Sequence, residues 1–293
     1  MANQLTDQAA GLRDIQERRA VRVVAVTSGK GGVGKTSVSV NLAMSMGRSG
    51  RRVVLMDADL GLANVDVMLG LQPRYNITHV LQGTCALDDI LIDAPHGVRV
   101  VPASSGTRQM AALTSAEHAG LIRAFSSLRQ PVDALIVDVA AGISNSVLDM
   151  TQAAQEVVVV VCDEPASITD AYALIKVLSR DFGVTHFRVL ANMVSSSLEG
   201  RELYNKIAKV TDRYLDVCLQ YMGAVPYDEY LRKALQRQRA VVDIFPSSPS
   251  ARAFKSLAAQ ADNWPVPRGA RGRLEFFVER LIGAHRQPVG AIP

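Results

Sequence analysis

Short apolar runs alternate with longer amphipathic stretches along most of this 293-residue chain. The apolar runs show little polar alternation, which is typical of parallel strands that are covered on both faces. They predict strands at residues 21–26, 51–56, 98–103, 132–138, 157–162, 187–194 and 219–225. Helical spacing predicts helices at residues 117–128, 165–178, 200–215 and 250–261, with loops and short helices at 71–97. The pattern therefore predicts an α/β fold over residues 21–262, a mostly parallel twisted sheet of about seven or eight strands with helices on both faces.

A glycine-rich loop follows the first predicted strand and opens directly onto a helix. Residues 28–36 read Ser-Gly-Lys-Gly-Gly-Val-Gly-Lys-Thr. Glycines let the backbone curl with its N–H groups inward, and these groups bind polyphosphate together with the positive end of the helix. Lys35 is placed to reach the terminal phosphates, and the hydroxyl of Thr36 to ligate Mg²⁺. The predicted nucleotide-binding residues of the loop are Gly29, Lys30, Gly31, Gly32, Val33, Gly34, Lys35, Thr36 and Ser37.

Lys30 is an additional cation that an ordinary phosphate loop does not require. Because it comes early in the loop, its side chain cannot easily fold back onto phosphates that its own chain holds. It could instead reach a nucleotide bound by a second copy and supply positive charge in trans, as an arginine finger does. This interpretation makes Lys30 a catalytic residue, beside Lys35, of a dimer.

Three aspartates stand at the carboxyl ends of predicted strands, where ligands of such sheets bind. Asp57 is expected near Mg²⁺, and Asp59 is placed to hold an attacking water. Asp138 is expected to hold Mg²⁺ through water. The loop after it contains Gly142 and is a candidate switch whose backbone N–H senses the γ-phosphate. The alternative is that these are ordinary turn residues, since Asp and Gly favour turns.

Two further positions are candidate contacts with the nucleotide, one of them with its base. Asn192, near the end of a predicted strand, could read a base edge with its amide, or it could cap a helix or turn. Pro226 ends the last predicted strand and returns the chain toward the site. The basic stretch 230–239 that follows is either a solvated helix face or a contact with a partner or an anionic surface.

The two ends of the chain lie outside the predicted α/β domain. Residues 1–20 are polar, and Gln8 stands in a short segment that is either a frayed helix or a docking motif. Residues 263–293 are predicted to form a linker and an amphipathic helix. The apolar stripe of that helix consists of Leu274, Phe277, Val278, Leu281 and Ile282, with arginines around it. The helix could lie in a membrane interface or pack on the domain. The two placements could also alternate, one with nucleotide bound and one without.

Composition limits the other possibilities. A net charge of +4 and a pI of about 9.0 are too mildly basic to indicate nucleic acid alone. Three widely separated cysteines argue against disulfides and a paired-cysteine metal site. The N-terminal residues lack a basic-then-apolar leader, and no apolar run approaches the ~18 residues of a spanning helix. The expectation is a cytoplasmic protein that does not cross a membrane.

Residues 29–36, 57–66 and 138–143 together resemble the MinD/ParA family of ATPases with a deviant phosphate loop. In that family two monomers sandwich two ATP molecules, and the lysine matching Lys30 crosses between them. The resemblance implies that Asp59 aligns the hydrolytic water and that Asp138 is the Mg²⁺-proximal acid. Val139 departs from the pattern, because relatives often carry threonine or another small polar residue there. Ala140 departs from MinD itself, which has proline.

Within that family the chain resembles the FlhG group, also called FleN, which limits flagellar number and placement. The resemblance rests on residues 7–13, 153–156 with 162–165, 209–213 and 274–281. It implies that the segment with Gln8 engages FlhF, a GTPase, and that the terminal helix targets the cytoplasmic face of the inner membrane. Some members also inhibit the FleQ activator. The expected function is therefore a slow ATPase that dimerises with ATP and Mg²⁺ and regulates flagella.

Two other functions are possible on the same fold. A ParA-like protein would bind DNA nonspecifically and use the basic residues Arg232, Lys233, Arg237 and Arg239. An iron–sulfur scaffold would need cysteines paired across a dimer, which the three lone cysteines disfavour. No specific nucleic-acid partner is expected.

Overall fold

A single sheet organises the chain. The computed structural model describes residues 21–59, 64–103, 120, 123–125, 127–265 and 278–280. The strands are β1 (Arg22–Ser28), β2 (Val53–Ala58), β3 (Ile92–Asp93), β4 (Arg99–Val101), β5 (Ala134–Ala141), β6 (Glu156–Val161), β7 (His186–Val194) and β8 (Cys218–Pro226). Their order is β3-β4-β2-β5-β1-β6-β7-β8, and every neighbouring pair is parallel except β3 with β4. The predicted α/β fold with a mostly parallel sheet is confirmed.

Helices cover both faces of the sheet. They are α1 (Lys35–Arg48), α2 (Val65–Leu69), α3 (Ile77–Leu81), α4 (Leu87–Ile90), α5 (Asn145–Ala153), α6 (Pro165–Phe182), α7 (Ser197–Tyr214), α8 (Glu229–Gln236), α9 (Val241–Ile244) and α10 (Pro249–Ala261), with a 3-10 turn at Pro95–Gly97. One apolar cluster joins α5, α6 and α7 to one face, and a second joins α1, α9 and α10 to the other. The site residues at the strand ends therefore belong to a sheet that is packed against helices on both faces.

Strand β1 shows why the apolar runs lack alternation. Val23 and Ala25 enter the cluster with α5 and α6, whereas Val24 and Val26 enter the cluster with α1 and α10. All four side chains are fully buried. A strand covered on both faces has no solvent side, so these four consecutive positions are apolar without alternation.

The structure adds elements that the sequence pattern did not predict. Strand β3 lies within the stretch expected to hold only loops and short helices, and it pairs antiparallel with β4. Helix α5 is short and polar in sequence, and it is held by the buried Val147 and Met150. Half of the helix predicted at 117–128 lies outside the described residues. The described residues in this range are helical at 120 and 123–125 but not at 127 and 128.

The far C-terminal part of the chain contacts the domain at the residues that the structure describes. The indole of Trp264 lies under the guanidinium of Arg188, 3.9 Å from Cζ to the ring centroid, and its carbonyl accepts a bond of 2.7 Å from Arg22. Val278 is 1% exposed and belongs to the core cluster of α5 and α6. Nη1 of Arg280 donates to the carbonyl of Ala154 at 3.2 Å. Val278, the residue of the terminal stripe that the structure describes, therefore packs on the domain.

The remaining terminal predictions lie outside the described residues. These are Gln8, Leu274, Phe277, Leu281 and Ile282. Among the described helices, none combines the length and the apolar character that crossing a bilayer requires.

Candidate nucleotide site

The glycine-rich loop connects the end of β1 to the start of α1, near the middle of the sheet. Gly32 and Gly34 have φ of 83° and 86°, in the left-handed region that glycine adopts without strain. A Cβ on Gly34 would also lie 2.4 Å from Nδ2 of Asn192. Glycine is thus required at position 34 for its backbone angle and for the close approach of Asn192.

Asn192 is buried beneath this loop. Its Nδ2 donates to the carbonyl of Val33 at 2.7 Å, which fixes the orientation of the amide. Its Oδ1 is buried and has no hydrogen-bond partner among the described residues. Pro226 ends the neighbouring strand β8, in register with Val194 of β7. An unpaired acceptor is the group that would pair with the exocyclic amine of adenine. Because this oxygen is buried, the base contact of Asn192 stays a prediction.

Asp138 lies in the second half of β5, three residues before its end at Ala141, and accepts hydrogen bonds from two hydroxyl groups of α1. Oγ1 of Thr36 donates to Oδ2 and Oγ of Ser39 donates to Oδ1, each at 2.7 Å. Burial raises the pKa of Asp138 to about 6, although both hydroxyl bonds act to lower it. Ser39 was not among the residues predicted from sequence. It lies outside the glycine-rich motif, and only its spacing of three residues from Thr36 indicates a shared helix face.

Asp57, near the end of β2, accepts hydrogen bonds from three backbone N–H groups. Its Oδ1 accepts from the backbone N–H of Asp59 at 3.1 Å, and its Oδ2 accepts from those of Asn64 and Val65 at 2.9 and 3.0 Å. Burial raises the pKa of this carboxyl, and the backbone bonds oppose the rise. Asp57 therefore anchors both ends of the loop after β2, and its contact with Mg²⁺ through water stays a prediction.

Asp59 lies half-buried at the start of that loop. Nδ2 of Asn64 donates to its Oδ2 at 3.2 Å, across residues 60–63, which are outside the described part of the chain. The geometry brings Asn64 to the aspartate predicted to hold the attacking water. Sequence reasoning missed Asn64, because an Asn in a turn-rich segment has no distinguishing pattern.

Lys30 is paired within its own chain. Its Nζ donates to Oε2 of Glu164 at 2.6 Å, and the two side chains are 40% and 58% exposed. The hydrogen bond and charge of Glu164 raise the pKa of Lys30. Glu164 directly precedes α6 and lies within residues 162–165, which contribute to the family resemblance. The structure thus holds the extra lysine at the surface, in contact with the loop after β6.

The loop after Asp138 is tied to the same place. Gly142 has a φ of 99°, and its N–H donates to the carbonyl of Ser28 at 2.9 Å. The amide predicted to sense a γ-phosphate is therefore bonded to the residue that opens the glycine-rich loop. Contact with phosphate would require this bond to break.

The residues present fit Mg²⁺ held together with a polyphosphate. Thr36 and Asp138 offer oxygen ligands, and Asp138 is a buried acid that a cation would stabilise. Within the described residues no cluster of three or more His, Cys, Asp or Glu could bind a metal by itself. Mg²⁺ is commonly bound through one or two carboxylates, waters and substrate phosphates.

Comparison with known proteins agrees with this geometry. The ParA family profile, described as NUBPL iron-transfer P-loop NTPase, matches residues 19–261. The chain is 59% identical over 271 residues to the antiactivator FleN of Pseudomonas aeruginosa, covering 92% of this chain and 97% of that protein. It is 33% identical over 238 residues to the flagellum site-determining protein YlxH of Helicobacter pylori, covering 81% and 80%.

Solved structures show the same fold. The septum site-determining protein MinD complexed with Mg-ADP from Pyrococcus horikoshii matches with a TM-score of 0.65 and 25% identity, over 83% of this chain and 96% of that chain. The MinC:MinD cell division complex of Aquifex aeolicus matches with a TM-score of 0.67 and 24% identity, over 85% and 98%. The family profile and the two flagellar relatives together place this chain in the FleN/FlhG group of the MinD/ParA family of P-loop ATPases.

Proposed function

We propose that this chain is an ATP-dependent dimerising switch that regulates the number and placement of flagella. The names of two relatives, an antiactivator and a flagellum site-determining protein, support the flagellar role. The glycine-rich loop, Asp138 and the unpaired acceptor of Asn192 support binding of an adenine nucleotide.

The exposed position of Lys30 is the observation that supports the proposed dimer. Its ammonium contacts Glu164 at the surface, 2.6 Å away, and leaves phosphate binding in its own loop to Lys35 and the backbone. An exposed cation beside a nucleotide site is placed to contact a nucleotide in a second copy. In the proposed dimer Lys30 leaves Glu164 and neutralises phosphate charge in trans.

The residues of the site have separate tasks in hydrolysis. Lys35 and the loop N–H groups bind phosphate, while Thr36 and Asp138 would hold Mg²⁺. Mg²⁺, when bound, draws negative charge from the phosphate oxygens. Asp59 orients the attacking water and Asn64 holds Asp59. Since Asp59 orients the water rather than taking its proton, hydrolysis is expected to be slow, which suits a switch.

The partner contacts of the switch are proposed for the two ends of the chain. The segment with Gln8 engages an FlhF-type GTPase, and a FleQ-type activator is a further partner. The terminal helix contacts the cytoplasmic face of the inner membrane in the ATP dimer, where two helices bind better than one. The buried Val278 supports a docked state that alternates with this one.

DNA binding in the manner of ParA is the other function to test, but no observation favours it. Lys233 of α8 contacts Glu229 at 3.9 Å and the ring of Tyr230. Arg237 stacks on Phe245, 5.4 Å from Cζ to the ring centroid. These two cations already have partners within the chain, which reduces their availability to phosphate.

Molar mass in solution tests the dimer directly. Asp59→Ala should retain bound ATP, and its mass should double between ADP and Mg-ATP. The double variant Lys30→Ala/Asp59→Ala should bind ATP but remain a monomer. Light scattering after size exclusion measures both, with fluorescent nucleotide titration as the control for binding.

An unchanged mass with Mg-ATP in Asp59→Ala would contradict the switch. A dimer that persists without Lys30 would remove its role in trans. Binding of the dimer to DNA with a steep salt dependence, and no binding to vesicles, would favour the ParA-like function.

A further inference from the structure

We infer that Ser39 is a positioning residue for the metal site, because it holds Asp138 in the orientation needed for Mg²⁺. The inference concerns the nucleotide site of a single protomer. It does not depend on dimerisation or on the flagellar role.

Each oxygen of the Asp138 carboxylate accepts a hydrogen bond from a different hydroxyl group. Ser39 donates to Oδ1 and Thr36 donates to Oδ2, each at 2.7 Å. The two hydroxyls stand three residues apart on α1, so they lie on one face of the helix. Ser39 is fully buried and Asp138 is nearly so. Rotation of the buried carboxylate would break both hydrogen bonds, so they fix its plane.

Of the two donors, Thr36 is also a predicted metal ligand, whereas Ser39 is not. The hydroxyl oxygen of Thr36 is the predicted ligand of Mg²⁺, so its bond to Asp138 must adjust when the metal enters. Ser39 contacts only protein, and it can keep its bond in both states. The carbonyl of Lys35 is also 3.2 Å from Oγ of Ser39. Because a hydroxyl carries a single hydrogen, the shorter, charge-assisted bond to Asp138 is the stronger competitor.

The residue beside Asp138 gives no alternative support. Val139 is buried and has no side-chain hydrogen-bonding group. The helix therefore supplies the hydroxyl that the strand lacks. Such outer-shell donors typically affect metal affinity by about 10- to 100-fold when they are removed.

The test compares Ser39→Ala with a matched serine on the same helix. Ser45 is also buried, but its Oγ has no hydrogen-bond partner among the described residues. A fluorescent ADP analogue is titrated in EDTA and at a series of Mg²⁺ concentrations, and thermal unfolding is followed without nucleotide. Ser39→Thr, which keeps the hydroxyl, is the conservative variant.

Mg²⁺ increases the affinity for ADP, and the measured quantity is the Mg²⁺ concentration that gives half of this increase. We expect that concentration to rise about 10-fold in Ser39→Ala. Its ADP affinity in EDTA should change less than about 2-fold, as expected when only metal ligation is affected. Ser45→Ala should leave both values unchanged, and Ser39→Thr should restore the Mg²⁺ dependence.

A purely structural role would give a different result. Ser39→Ala would then lower the melting temperature and weaken ADP binding equally with and without Mg²⁺. An unchanged Mg²⁺ dependence in Ser39→Ala, or one shifted equally in Ser45→Ala, would also overturn the inference.

Discussion

Asp138 and Asp57 are neighbours in the sheet, paired in register across β5 and β2. Burial raises the pKa of each carboxyl, and the charge of Asp57 adds to the rise at Asp138. Two buried acids side by side repel each other unless a cation or a proton intervenes. The local electrostatics thus favour either protonation or a divalent cation at Asp138.

The pH dependence of Mg²⁺-supported nucleotide binding follows from this competition. The pKa of Asp138 is raised to about 6, so the carboxyl gains a proton as the pH falls through that value. Mg²⁺ binds the ionised form, and its apparent affinity should fall by up to about 10-fold for each pH unit below 6. Titration of a fluorescent ADP with Mg²⁺ between pH 5 and pH 8, roughly the range around that pKa, measures this.

Stability without nucleotide should change in the opposite direction. The pKa of Asp138 is higher in the folded chain than the unfolded value of about 3.9, so the folded state binds more protons between these values. Its contribution to the free energy of unfolding therefore falls as pH rises from about 4 to 6. Asp138→Asn should remove much of this slope in urea titrations, and an unchanged slope would assign the proton to another group.

The residues of the site differ in how far sequence could predict them. Gly34, Lys35 and Thr36 belong to one local motif, whose spacing carries the chemistry. Ser39 and Glu164 meet their partners only through folding, 99 residues from Asp138 and 134 from Lys30. No periodicity links such pairs, so their roles required the three-dimensional structure.

Elements were predictable where burial imposes a pattern. The central strands have long apolar runs because both faces are covered, as Val23–Val26 of β1 show. Strand β3 has only two residues, and α5 has a mixed composition, so neither produces a readable period. These two elements form because tertiary contacts hold them.

The contact between the glycine-rich loop and α6 depends on the absence of a side chain at Gly29. A Cβ there would lie 2.1 Å from the carbonyl carbon of Asp170 and 2.5 Å from the backbone nitrogen of Ala171. Backbone cannot yield as a flexible side chain can, so Gly29→Ala should push α6 away from the loop. We expect the free energy of unfolding to fall by about 3 kcal/mol, measured by urea titration without nucleotide.

Gly31 in the same loop is the matched control. A Cβ on Gly31 meets nothing within 4 Å, and its φ is outside the left-handed region. Gly31→Ala should therefore change stability by less than about 1 kcal/mol. Equal losses in the two variants would show that α6 does not press on Gly29. Failure of Gly29→Ala to fold while Gly31→Ala folds would agree with the expectation.

At the scale of the whole molecule, helix α5 connects the switch loop to the C-terminal segment. The loop before it is bonded to Ser28 through the N–H of Gly142. The carbonyl of Ala154, directly after α5, accepts from Arg280, and Val278 is buried in the same core cluster as the helix. A movement of the switch loop could shift α5 and so loosen the terminal segment, because both ends of the helix are engaged. These contacts provide the route by which we propose that nucleotide binding changes the state of that segment.

Tryptic cleavage after Arg280 reports how firmly that segment is docked. Val278→Ala removes two buried methyl groups, so the undocked population should rise, and with it the cleavage rate, by about 10-fold without nucleotide. Val210→Ala is the control, since Val210 is 40% exposed on α7, and cleavage after Arg213 is the internal reference.

Mg-ATP added to Asp59→Ala should accelerate cleavage after Arg280 in the same way if dimerisation releases the segment. Equal rates in Val278→Ala and the parent chain would show that Val278 does not hold the segment. An effect of Val278→Ala without one of Mg-ATP would separate docking from nucleotide control, because the contact would then be a fixed part of the core and α5 would carry no signal.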